Sequence, residues 1–171
     1  MKQEIPGRIT ALQEKLRELE LDAALIYDRE NLIYFAGVTD LEGGVLCIPA
    51  EGVAELFCLW MEAEHMRQAT GLRVTGYPFP AQTQSSMAAK WLHGLGLKRP
   101  RVGFTRYFIS LKDYQCLQEA VPEMVVGDIA ATCYQLRSIK CPEEIRRIRA
   151  ASKALEAGMK AAVSAVRAGV A

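Results

Sequence analysis

Histidine is scarce in this chain: His65 and His93 are the only two in 171 residues. That leaves little of the imidazole chemistry on which metal sites and general bases usually rest. The five cysteines (47, 58, 116, 133 and 141) are odd in number and form no C-x-x-C pair. They read as small core residues in a reducing compartment, not as a disulfide or zinc framework. No apolar run approaches the ~20 residues needed to span a bilayer. Met1-Lys2-Gln3-Glu4-Ile5-Pro6 has no apolar stretch of the kind a secretory leader carries. An excess of one charge is also lacking, since 21 Lys+Arg against 20 Asp+Glu leave a net +1. A cytoplasmic protein without membrane or nucleic-acid partners is the expectation.

The charge that is present is unevenly placed. Residues 135–171 hold eight Lys/Arg and three Glu, a net of +5, so the rest of the chain carries −4. A basic surplus beside a regular apolar stripe reads as the solvated face of a helix, not as an arm tracking phosphates. The stripe is Ile145, Ile148, Leu155, Met159, Ala162 and Val166, with Ser152 at its one polar step. Its start is written in full: Pro142 fits the first helical position, and Glu143 and Glu144 oppose the helix dipole.

Upstream, Ile5, Ile9, Leu12, Leu16 and Leu19 mark an amphipathic first helix. Residues 23–27 form a short apolar run suited to a buried strand. Asp28 can cap a helix through 31–35, and Gly37 suits its left-handed stop. Strands are expected at 45–48 and 54–58, joined as a hairpin through Pro49-Ala50-Glu51-Gly52, and at 72–77, 101–104 and 123–126. Helices are expected from Trp60 to about Ala69, over 85–95, from a Ser110 cap to Ala120, and from an Asp128 cap over 129–136. Strands that alternate with helices after a hairpin predict a mixed sheet with helices on both faces.

Two segments resemble the creatinase/prolidase/aminopeptidase P family of "pita-bread" metallopeptidases. One is Leu136 to Ala150. The other is Asp28-Arg29-Glu30-Asn31-Leu32-Ile33-Tyr34-Phe35-Ala36-Gly37, similar to the family's Asn-hydrophobe-x-Tyr-hydrophobe-Thr-Gly signature, with Ala36 where Thr or Ser is usual. The resemblance implies a three-layer α/β/α fold with a mixed sheet and a ribonuclease-H-like motif. It implies that 1–136 is the non-catalytic N-terminal domain and that 137–171 is a linker and helix leading into a catalytic domain absent from this chain. It further implies a homodimer acting on proline-containing peptides as an Xaa-Pro peptidase. Two divalent metal ions would sit in the catalytic domain and none in this chain. The alternatives are the N-terminal domain of a creatinase- or ectoine-hydrolase-like amidohydrolase, or a non-catalytic interaction module.

Candidate chemistry within the chain is thin. Glu62-x-x-His65 would place a carboxylate and an imidazole on one helical face, but a dinuclear centre needs several more ligands. His93 sits near a helix C-terminus, where a donor is ordinary capping. Gly94-Leu95-Gly96 lacks a third glycine and follows a helix, unlike a dinucleotide loop. A ribonuclease-H-like nuclease would need carboxylates at strand ends, and the expected strands offer only Glu55 and Glu123. No catalytic or metal-binding residue is therefore assigned. Since family N-terminal domains reach toward the partner subunit's cleft, the resemblance singles out the loop after Gly37, with Val38, Thr39 and Asp40 as cross-subunit substrate-cleft contacts, followed by Leu41 and Glu42.

Overall fold

A computed structural model describes residues 5–38, 41–105 and 109–169. The chain divides into two compact units, Met1–Leu136 and Arg137–Ala171. In the first, helix α1 (Ile5–Glu18) leads to strand β1 (Ala23–Ile26), helix α2 (Arg29–Ala36) and the hairpin of β2 (Gly44–Pro49) and β3 (Glu55–Leu59). Helix α3 (Ala63–Thr70), β4 (Arg73–Tyr77), α4 (Gln84–Gly94), β5 (Arg101–Phe104), α5 (Leu111–Ala120), β6 (Val125–Asp128) and α6 (Ala130–Ser138), whose last two residues fall in the second unit, follow.

The six strands form one sheet in the order β4-β3-β2-β1-β5-β6. β2 runs antiparallel to both of its neighbours, and the pairs β1–β5, β3–β4 and β5–β6 are parallel. The sheet is mixed, as the alternation of elements predicts, and its central strands are buried on both faces. Ala24, Ile26, Leu46, Ile48 and Leu56 point into a core shared with Leu12 and Leu16 of α1, Phe35 of α2, Met66 of α3 and Cys133 of α6. Ala23, Leu25, Val45, Cys47 and Phe57 point the other way, onto Ala88 and Leu92 of α4 and Leu117 of α5. Burial on both sides explains why β1 reads as an unbroken apolar run instead of an alternating one.

Local chemistry sets most element ends. Asp28 caps α2 by accepting the Asn31 N–H at 3.2 Å, and Gly37 ends the helix in the left-handed region at φ 72. Ser110 caps α5 through the Asp113 N–H at 3.0 Å. Gly44 is required for close approach, because a Cβ there would stand 2.7 Å from the Phe57 carbonyl oxygen on the paired strand.

Three expectations shift. The α1 stripe stops at Leu16: Leu19 lies past the last turn and is exposed, while Leu21 is buried in its place. The last strand begins two residues later than the apolar run suggests. Met124 N–H is bonded to Val121 in a turn, and pairing starts only at Val125, whose N–H reaches Pro100 O at 2.8 Å. Glu123 therefore lies before the strand, not in it. Asp128 ends β6 and still caps the next helix through the Ala130 N–H at 2.9 Å, and α6 runs on to Ser138.

The second unit is dominated by helix α7 (Pro142–Ala165), with Pro142 in its first turn. Its N-cap is Cys141, whose thiol accepts the Glu144 N–H while the Glu144 carboxylate accepts the Cys141 N–H at 2.8 Å. Glu143 accepts from both Arg146 and Arg147 at 2.7 Å. These guanidinium bonds hold its carboxyl down to about 2. The pairs are intact above the ordinary carboxylate range and are lost only as pH falls toward that value. Along α7 no residue is buried, and Ile148, Leu155, Met159 and Val163 all face solvent; the expected stripe stops short of Val166, which follows the last helical residue with extended backbone.

Candidate functional site

Several polar side chains of the first unit meet where β1 and β5 end and where α4 and α5 begin. Asp28, directly after β1, is almost fully buried. Its carboxylate takes the Thr105 hydroxyl at 2.5 Å from the end of β5, as well as the α2 cap bond. On the other face, Ser85 of α4 is fully buried and donates to Asp113 of α5 at 2.6 Å. With Ser85 Oγ so used, Tyr27 donates to it at 3.2 Å. Gln84 and Ser110 donate to the second oxygen of Asp113 at 3.2 and 2.6 Å. A carboxylate in the first turn of α5 and beside that of α4 sits where both helix dipoles favour it. Burial pushes the Tyr27 phenol well above its ordinary range, with the Ser85 bond opposing the shift.

Two recesses open on this network. One, of about 260 Å³, is walled by Tyr27, Arg29, Leu32, Val38, Leu41 and Gln84. The other, of about 420 Å³, lies among Leu59, Tyr77, Phe79, Lys112, Asp113 and Cys116. Glu42, Gly43 and Gln84 border both. The loop singled out after Gly37 is thus represented at the strand ends by Val38, Leu41 and Glu42. Val38 is buried and belongs to the first core, and Leu41 packs against that core. Thr39 and Asp40 lie outside the described residues. Glu42 N–H reaches the Glu62 carboxylate at 3.3 Å, while the other, buried Glu62 oxygen has no hydrogen-bond partner among the described residues.

The remaining candidates resolve into structure. Glu62 is the N-cap residue of α3 but makes no side-chain cap; its carboxylate turns to the Glu42 loop. His93 reaches the Ala120 carbonyl at 3.0 Å, serving the end of the neighbouring helix. Glu55 accepts the Thr75 hydroxyl at 2.7 Å. Among the described residues no three His, Cys, Asp or Glu side chains are grouped to hold a metal ion. Gln84, Tyr77 and Asp113 were not singled out by sequence reasoning. Each comes from a different segment, and only the fold brings them to one edge.

Burial also fixes the thiols. It raises Cys47 well above the usual thiol range, and raises Cys58 to about 11 with the Glu62 charge adding to the effect. We expect a thiol reagent at pH 8 to label only the half-buried Cys116 and Cys141 in the native chain. Mass spectrometry before and after denaturation checks this; native labelling of Cys47 or Cys133 would contradict the packing.

The first unit is a three-layer domain with two open recesses where its strands end. The chain belongs to the creatinase/prolidase N-terminal domain family, whose model matches residues 8–139. An uncharacterized peptidase of Staphylococcus saprophyticus is 27% identical over 167 residues, 95% of this chain and 45% of the relative. The Xaa-Pro dipeptidase from Bacillus anthracis superposes with a TM-score of 0.83 at 22% identity, covering 97% of this chain and 45% of that one. The N-terminal domain of the cytoplasmic peptidase PepQ from Mycobacterium tuberculosis gives 0.65 at 20% identity, covering 76% of this chain and 98% of that one. The chain spans under half the length of the first two. No helix among the described residues is long and apolar enough to cross a membrane.

Proposed function

We propose that the chain is the non-catalytic N-terminal part of a cytoplasmic, metal-dependent Xaa-Pro peptidase of aminopeptidase P or prolidase type. The observation that supports this most is the match of nearly the whole chain to 45% of an Xaa-Pro dipeptidase at TM-score 0.83. In this reading a catalytic domain follows α7, covers its apolar stripe and supplies the two divalent metal ions. The protein works as a homodimer. Val38 fixes the root of the 38–42 loop in the core, and Thr39 and Asp40 border the partner subunit's substrate cleft.

Purified alone, the chain should hydrolyse no Xaa-Pro dipeptide with manganese, cobalt or zinc added, because a dinuclear centre needs about five protein ligands. Turnover abolished by His65→Ala would sink the reading. In the product of the complete reading frame, metal-dependent cleavage is expected, and Asp40→Ala should change kinetics while leaving the thermal midpoint nearly unmoved. Unchanged kinetics across several Xaa-Pro substrates would remove the loop from the cleft.

A further inference from the structure

The larger of the two recesses carries a pair of opposite charges that the domain leaves unspent. Its walls come from two strand ends and one side of a helix. Leu59 and Tyr77 pair in register as the last residues of β3 and β4, and Phe79 stands exposed two residues further on. Cys116 lines the hollow from α5, and Lys112 lies one turn before it on the same side of that helix. Glu42 enters from the segment ahead of β2. Asp113 also borders the recess, but it already accepts from Gln84, Ser85 and Ser110. Glu42 and Lys112 stay uncommitted. Glu42 gives its backbone N–H to Glu62, yet neither its carboxylate nor the Lys112 ammonium has a partner among the described residues. A free carboxylate and a free ammonium thus border a largely apolar hollow without meeting each other.

We propose that this recess binds a small zwitterion with an apolar body, an amino acid with a large side chain or a short apolar peptide free at both ends. The amine meets Glu42, the carboxylate meets Lys112, and the apolar part lies on Leu59, Tyr77 and Phe79. Charge complementarity selects this class. A simple anion drawn to Lys112 would meet Glu42 as a like charge, and a simple cation would meet Lys112. An uncharged apolar ligand would crowd water away from both charges and give them nothing in return. The volume of about 420 Å³ falls in the range of small-ligand sites. Because Glu42 and Lys112 form no ion pair, a ligand that bridges them must hold its own charges apart, as two extended residues do over about 7 Å. The site needs no proline, no metal ion and no second subunit, so it stands apart from the peptidase reading.

Cys116 reports occupancy, because it lines the recess while the other half-buried thiol, Cys141, lies in the second unit. The purified chain is alkylated with iodoacetamide at pH 7, where a peptide amine and carboxylate are both largely charged. L-Phenylalanine and leucyl-phenylalanine are the two probes, each titrated separately. At about four times its Kd, a probe that fits should slow labelling of Cys116 about fivefold and leave Cys141 unchanged. Protection by phenylalanine assigns the site to amino acids, and protection by the dipeptide alone assigns it to peptides. Glu42→Gln and Lys112→Gln, both at exposed positions, should each raise the concentration for half-protection about three- to fivefold. Acetyl-leucyl-phenylalanine amide, which lacks both charges, should not protect. Failure of both probes to shield Cys116 up to their solubility would overturn the proposal. So would equal protection by the blocked peptide, or unchanged half-protection in both variants, since the hollow would then be an apolar trap with idle charges at its rim.

Discussion

Replacing Phe35 by alanine should cost about 3–5 kcal/mol, the range for deleting a large aromatic side chain from a packed core. Phe35 is fully buried and sits between α1, α2 and the sheet, in the larger of the two cores. The site cannot collapse easily, because the central strands on which it rests are themselves buried on both faces. For a chain of this length the loss corresponds to a fall in thermal midpoint of about 6–20 °C. That is a large share of a typical total stability of about 5–15 kcal/mol. Differential scanning calorimetry checks it; a drop below about 1 kcal/mol would mean that Phe35 is not the anchor its burial makes it.

The second large effect concerns association. Helix α7 carries Leu155 69% exposed, in a stripe continued by Ile148, Met159 and Val163. Each such side chain gains about 1.5–3 kcal/mol when fully buried, and a contiguous apolar face of this kind tends to find a partner surface. The chain by itself should therefore self-associate through α7 in a symmetric pair. Sedimentation of the chain should show a concentration-dependent dimer, and a version ending near Ala154, or one carrying Leu155→Glu with Met159→Glu, should be monomeric. If the intact chain and both variants sediment as monomers at high concentration, the stripe is not sticky enough to matter.

How much of this was legible in the sequence follows from the range of the forces involved. Caps and stops are chemistry among near neighbours, so Asp28, Gly37, Ser110 and Pro142 could be read directly. The mixed sheet followed from the order of elements, and the family from two short segments. Cys141 was not recognised as the cap of α7, although its thiol stands where a serine hydroxyl would and Glu144 completes the box. The start of β6 differs from the apolar run because a turn at Pro122 and Glu123 decides it, not apolarity. The recesses were illegible for a different reason. Tyr77, Gln84 and Asp113 come together only because parallel strands deliver their C-terminal ends to one edge. The Tyr34–Leu136 bond was equally hidden, since nothing local relates a phenol in α2 to a carbonyl in α6.

The one strand that runs against its neighbours also bears on the order of assembly. β2 and β3 pair antiparallel across the short turn between Pro49 and Glu55, while β1 reaches β2 only after α2. The loop-closure cost of the β2–β3 hairpin is small, and it can form while the remainder of the chain is still leaving the ribosome. The parallel partner of β1 is β5, which pairs Ala23 with Val102, so that ladder must await α3, β4 and α4. Substitutions in the hairpin, such as Leu46→Ala, should therefore slow refolding, whereas substitutions around β6 should mainly speed unfolding.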